Sequence, residues 1–135
     1  MAVFLNNGVV VTVAGVNLSD HVTSVTLNRA ADELEVTAMG DSAHKFVKGL
    51  EASSLTIDFL NDTAALNVLP TLQTAYGTTV TVTLKQTSAI TSPTNPLYTM
   101  SCLINNLTDI NGAVGDIGTQ SVTWTVNSTV VITTS

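Results

Sequence analysis

Apolar residues recur at every second position through most of this chain, a period that admits little besides β-strands with one face turned inward. Val9, Val11 and Val13 alternate with Val10 and Thr12, and Val25 and Leu27 with Ser24, Thr26 and Asn28. Leu34, Val36 and Ala38 alternate with Glu33, Glu35 and Thr37, and Leu55, Ile57 and Phe59 with Ser54, Thr56 and Asp58. Val80, Val82 and Leu84 alternate with Thr79, Thr81 and Thr83. Tyr98, Met100, Cys102 and Ile104 alternate with Thr99, Ser101 and Leu103, and Val122, Trp124 and Val126 with Ser121, Thr123 and Thr125. A last run, residues 129–133, is β-branched throughout and is expected to be a strand buried on both sides. Segments of this kind, rich in Val and Thr, predict a mostly β chain built as an antiparallel β-sandwich or barrel. The 135 residues suffice for one domain, 1–135, with its own core.

The polar faces of these strands carry Thr and Ser rather than Lys and Glu. Only 10% of the chain is charged, against roughly 25% in an ordinary soluble domain. A dispersed monomer coats itself in charge, whereas a subunit can hide uncharged surface against neighbours. Small hydroxyls suit such close contact. The charge that exists is acidic, with 10 carboxylates against 4 basic residues and a net of −6. Arg29, Lys45, Lys48 and Lys85 are the whole basic complement. Tight duplex binding needs cations lined up along phosphates, so this composition argues against it. An acidic surface that lets DNA slide past stays compatible.

One segment departs from the alternation. Between residues 61 and 77, Ala65, Leu66, Leu69, Leu72 and Tyr76 fall at three- and four-residue spacing, which predicts one flanking α-helix over about 62–76. Asn61 or Asp62 can cap its start and Gly77 its end, and Pro70 inside it predicts a kink or two short pieces. Residues 39–51 are expected to be a long loop, bounded by Gly40 and Gly49 and carrying His44, Lys45, Phe46, Val47 and Lys48. Loops of that length in compact domains commonly serve a function. Residues 86–96 read as a connection between strands, and residues 109–118 as a Gly-rich acidic turn region.

Residues with catalytic potential do not converge. Cys102 is the only cysteine and stands within an apolar alternation, as a small core residue does. Asp32, Glu33 and Glu35 form the densest acidic cluster, with Glu33 and Glu35 on one strand face. Paired carboxylates can do acid–base work, yet a solvated acidic face is the plainer reading. Asp109, Asn111 and Asp116 lack the third early ligand and closing Glu of a calcium loop. His21 and His44 have no zinc spacing, and no phosphate-cradling glycine loop is present. The chain is therefore expected not to be an enzyme and to need no cofactor or metal. No apolar run approaches the ~20 residues of a membrane span, and Met1, Ala2, Val3, Phe4 and Leu5 follow no basic region of the kind that opens a signal peptide.

A more specific signal runs through the chain in order. It comprises Leu18-Ser19-Asp20-His21-Val22, then Ser24-Val25-Thr26-Leu27, and Asp32-Glu33-Leu34-Glu35-Val36-Thr37-Ala38-Met39-Gly40-Asp41. Gly49-Leu50 leads into Ser54-Leu55-Thr56-Ile57-Asp58-Phe59, followed by Thr94-Asn95-Pro96-Leu97-Tyr98 and Ser121-Val122-Thr123-Trp124. This succession resembles the tail tube (major tail) proteins of long, flexible-tailed bacteriophages. The resemblance implies a β-sandwich or barrel subunit with one helix at its flank. It implies six-membered rings of identical copies, stacked into a hollow tube that passes DNA during ejection without binding it specifically. The implied partners are further copies of the chain and other tail proteins (tape measure, tail terminator, distal tail), and the implied location is the virion tail, assembled in the bacterial cytoplasm. The long early loop, Met39, Gly40, Asp41, His44, Lys45, Phe46, Val47, Lys48 and Gly49, would bridge adjacent rings. Asp32, Glu33 and Glu35 are the acidic candidates for the lumen. Another virion structural protein, such as a capsid decoration protein, or an adhesin-like β module is the alternative.

Overall fold

The computed structural model describes residues 8–135, so the reading of Met1 to Leu5 lies outside the described residues. The alternating segments become strands β1 (Val10–Val13), β3 (Val22–Asn28), β6 (Ser54–Leu60), β7 (Thr79–Lys85), β8 (Leu97–Leu103) and β9 (Thr119–Val126). A short β2 (Val16–Asn17) pairs back on β1 across a turn in which Ala14 and Gly15 both take positive φ, 52° and 83°. These strands, with β10 (Val131–Thr133), make one eight-stranded sheet in the order β2-β1-β7-β8-β9-β6-β3, with β10 on β8. Every pairing is antiparallel.

The alternation explains why the sheet closes on itself. Val11, Val13, Val82, Met100, Cys102, Val122, Trp124, Leu55, Ile57 and Phe59 are all buried and belong to one cluster. A single apolar face spread over so many strands is shielded only if the sheet folds over it. The fold occurs at β8. Its later end pairs with β9 at only two positions, Cys102 with Val126 and Leu103 with Thr125, while its earlier end pairs with β10 through Leu97, Tyr98 and Thr99. Trp124 is fully buried at the centre, and its indole N–H donates to the Asn106 carbonyl at 3.2 Å. That bond satisfies the one polar atom of the largest core side chain.

The helix is shorter than its periodicity suggests. α1 spans Val68–Ala75 and buries Val68, Leu72 and Ala75. Leu66, expected on the apolar stripe, sits before the helix at φ 65° and is exposed, and Tyr76 is exposed beyond its end. Pro70 lies in the first turn, where helical N–H groups have no intrahelical acceptor, so it neither kinks nor divides the helix. Asp62 organises the approach, its backbone carbonyl accepting from Leu69 N–H at 3.0 Å and its carboxylate from Ala64 N–H at 2.9 Å.

Two further expectations are corrected. The final run is not buried on both sides: Val130 is buried, but Val131 and Ile132 are exposed because β10 occupies a sheet edge. Residues 39–51 are not one long loop. Their second half is strand β5 (Phe46–Glu51), paired with β4 (Ala31–Glu35) in a separate two-stranded sheet. Leu34 and Val36 alternate as a buried face would, yet both are exposed on this hairpin.

Candidate assembly surface

The β4–β5 hairpin has no core of its own. Glu33 pairs with Lys48, Leu34 with Val47 and Glu35 with Phe46, and the register shifts between Ala31 and Glu33. Directly opposed residues share a face and successive residues alternate. One face therefore carries Leu34 and Val47, and the other Glu33, Glu35, Phe46 and Lys48. Gly49 lies under Asp32: a Cβ there would stand 3.0 Å from the Asp32 Cβ and 3.3 Å from Leu34 Cγ. The shift at Asp32 thus brings two strands close enough to require a glycine.

At the tip, Gly40 adopts φ 89°. Asp41 accepts from Ala38 N–H at 2.8 Å and from Lys45 Nζ at 2.9 Å. The Ala38 amide, then Lys45, hold the Asp41 carboxyl below the usual carboxylate range. Glu35 accepts from Thr37 Oγ1 at 2.9 Å and meets His44 Nδ1 at 2.5 Å. Val36 N–H to the Lys45 carbonyl, 2.8 Å, continues the ladder toward the tip. The base is fastened to the sandwich through Ala52 N–H to the Ala30 carbonyl, 2.8 Å, and Val130 N–H to Glu51 Oε2, 3.4 Å. An ordered arm results, carrying Leu34, Val36, Met39, Phe46, Val47 and Leu50 as exposed large apolar residues. Exposed apolar concentrations of this kind are characteristic of contact surfaces.

The structure thereby joins two groups that sequence reasoning kept apart. Met39, Gly40, Asp41, His44, Lys45, Phe46, Val47, Lys48 and Gly49 stand on the same arm as Asp32, Glu33 and Glu35. Glu33 and Glu35 share a face, as their spacing implies, and Asp32 stands over Gly49 on the opposite one. All three acids are exposed. Residues 31–51 hold five carboxylates against two lysines, a net of −3, half the charge of the whole chain.

Comparison with known proteins places the fold. No family model matches the chain, and no curated protein matches it. Among solved structures, a chain from the virion of a native gene transfer agent (GTA) particle superposes with a TM-score of 0.79. The match covers 97% of this chain and 99% of that one at 7% sequence identity. The two share a fold. At that identity, residue-level correspondence carries nothing, so the contacts available to the arm rest on its own geometry.

Elsewhere the polar constellations hold the fold together. His21 bridges Asp20, 2.7 Å from Nδ1, and Asp62, 2.8 Å from Nε2. Burial works to lower its pKa, and the hydrogen bonds that the ring donates to the Asp62 and Asp20 carboxylates outweigh that and raise it. Asp62 is lowered in turn, first by the Ala64 amide and then by His21. Cys102 is fully buried, which pushes its thiol up to about 12 and leaves it without thiolate character. Among the described residues no group of three or more His, Cys, Asp or Glu is placed to hold a metal ion, and no helix is long and apolar enough to cross a membrane. Sequence reasoning missed one surface: Ile110, Val114 and Ile117 stand out in solvent on the 109–118 loop. The available signal was apolar residues among Gly, Asn and Asp with neither strand nor helix period.

Proposed function

We propose that the chain is a structural virion protein whose copies assemble into stacked rings, forming a phage tail tube through which DNA passes. The observation that carries this reading is the ordered β4–β5 arm, which exposes six large apolar side chains that a solitary domain has no use for. The fold shared along nearly its whole length with a chain of the gene transfer agent virion supports it, as does the scarcity of surface charge. In this reading the arm reaches a neighbouring ring, and the chain catalyses nothing. Its partners are further copies and other tail components.

Glu33 and Glu35 stand on one face of the arm beside His44 and Lys48; in this proposal they border the lumen, while Phe46, nearer the tip on the same face, is covered by the neighbouring ring. Like charge lining a channel keeps a polyanion from being trapped. Electron micrographs of the purified protein test the central claim. Rings or tubes of phage-tail width are expected, and trimers or persistent monomers would instead indicate a decoration protein or a surface module. Replacing Glu33 and Glu35 together by Lys should leave rings intact and slow DNA passage, read as release rate from virions carrying the variant. Unchanged release would remove the lumen assignment.

A further inference from the structure

The open seam of the sandwich forms a groove of about 770 Å³ between β3 and the β1/β7/β8 side. Val9, Val22, Val25, Leu27, Leu84 and Tyr98 give it an apolar floor, and Arg29 and Lys85 stand along it. Those two are the only basic residues of the chain outside the β4–β5 arm. In a chain of net −6, the groove is thus a localised cationic site, its apolar floor edged by the polar side chains of Ser19, Thr23, Ser24 and Gln86.

A complementary surface exists on the same molecule. On the 109–118 loop Ile110 is 96% exposed, Val114 106% and Ile117 72%, interleaved with Asp109 and Asp116. The loop is held in shape. Asn61 N–H donates to the Gly118 carbonyl at 3.0 Å and Asn61 Nδ2 to the Asp109 carbonyl at 3.2 Å, while Asn111 Nδ2 donates to Thr119 Oγ1 at 2.8 Å. Thr108 N–H donates to the side-chain oxygen of buried Gln120. Asp116 N–H closes a turn on the Ala113 carbonyl at 2.9 Å, with Gly112 and Gly115 at positive φ. A preorganised loop loses little conformational freedom on docking. Its exposure shows that it does not fill the groove of its own molecule.

We infer that the 109–118 loop of one copy docks into the β3/β7 groove of a second copy. Ile110, Val114 and Ile117 meet the apolar floor, and Asp109 and Asp116 meet Arg29 and Lys85. Loop and groove are different patches, so the contact is head-to-tail and propagates into a closed ring or a filament rather than ending at a dimer. The inference rests on the self-assembly proposed above and adds to it the contact that joins copies laterally, separate from the arm.

Thiol cross-linking of the full chain tests it, with Cys102 silent because it is buried. A variant carrying both Val114→Cys and Ser24→Cys is expected to give a ladder of covalent oligomers. A mixture of the two single variants should give dimers. A cross-link confined within one molecule would overturn the inference, as would preferential linkage of Ser24→Cys to Phe4→Cys or Phe46→Cys, which would assign the groove to the chain's own first residues or to the arm. As a second measurement, Asp116→Lys should raise the concentration needed for assembly on the order of tenfold. Combination with Lys85→Asp should restore it, and a lack of restoration counts against the pairing. If the unaltered chain assembles while the doubly substituted one gives no ladder, this contact fails and the tube reading stands. If the unaltered chain never assembles, both fall.

Discussion

Phe46→Ser separates folding from assembly. Phe46 is 54% exposed on a hairpin that contributes nothing to the core. An aromatic side chain can bury roughly 150–250 Å², so about 100 Å² of Phe46 is left to be covered by a neighbour. At ~25 cal/mol per Å² this is worth ~2.5 kcal/mol per contact. Immobilising the ring costs about 1 kcal/mol, leaving ~1.5 kcal/mol, on the order of a tenfold change in association. Within the monomer, the ring faces Glu35 across the hairpin and lies 6.4 Å from the His44 ring in a tilted arrangement. Losing those exposed contacts should shift stability by less than about 0.5 kcal/mol. Light scattering across a dilution series gives the concentration at which assemblies form, and thermal unfolding followed by circular dichroism gives the melting temperature. The expected outcome is assembly at about ten times the concentration with an unchanged melting temperature. Unchanged assembly would show that a neighbour does not cover the arm. A melting temperature lowered by several degrees would show that Phe46 supports the fold itself.

Trp124→Ala should do the reverse, costing about 3–5 kcal/mol by emptying the core centre and leaving the Asn106 carbonyl without its donor, as denaturant unfolding would measure. Cys102 should resist thiol reagents in the folded state and react at the rate of unfolding; rapid labelling of native protein would contradict its burial. The His21 bridge predicts a pH dependence with a definite sign. Because the folded pKa of His21 lies above 6.5, its contribution is complete below 6.5 and fades as pH rises through the folded value. Asp62, lowered from 3.8, contributes above 3.8 and loses that contribution as pH falls through its folded value. Melting temperature should therefore decline from pH 6.5 upward in the native chain, and His21→Gln should flatten that decline; a parallel decline in both would exclude His21 as its source.

The mostly β class was legible in the sequence because strand alternation is local: Leu55, Ile57 and Phe59, or Val122, Trp124 and Val126, point one way wherever the strand ends up. Cys102 in the core and the presence of one helix near residue 70 followed from the same local periodicities. The helix ends did not. Residues 62–67 have helical spacing, but the Asp62 carbonyl and carboxylate take up the nearby amides in turns instead. Alternation also cannot say what lies opposite a face. Leu34 and Val36 repeat as regularly as Leu55 and Ile57, yet they stand in solvent because β4 finds only β5 as a partner.

On its own, then, the sequence determined which residues alternate, how little charge the chain carries, and where its few cations lie. The tertiary structure decided three things that depend on long-range pairing. It made residues 46–51 a strand rather than a loop, and it set Glu33 and Glu35 on the same arm as Phe46. It gathered Arg29 and Lys85, distant in the chain, at one groove. Local spacing specifies the direction of a side chain; only the folded chain specifies what that side chain meets.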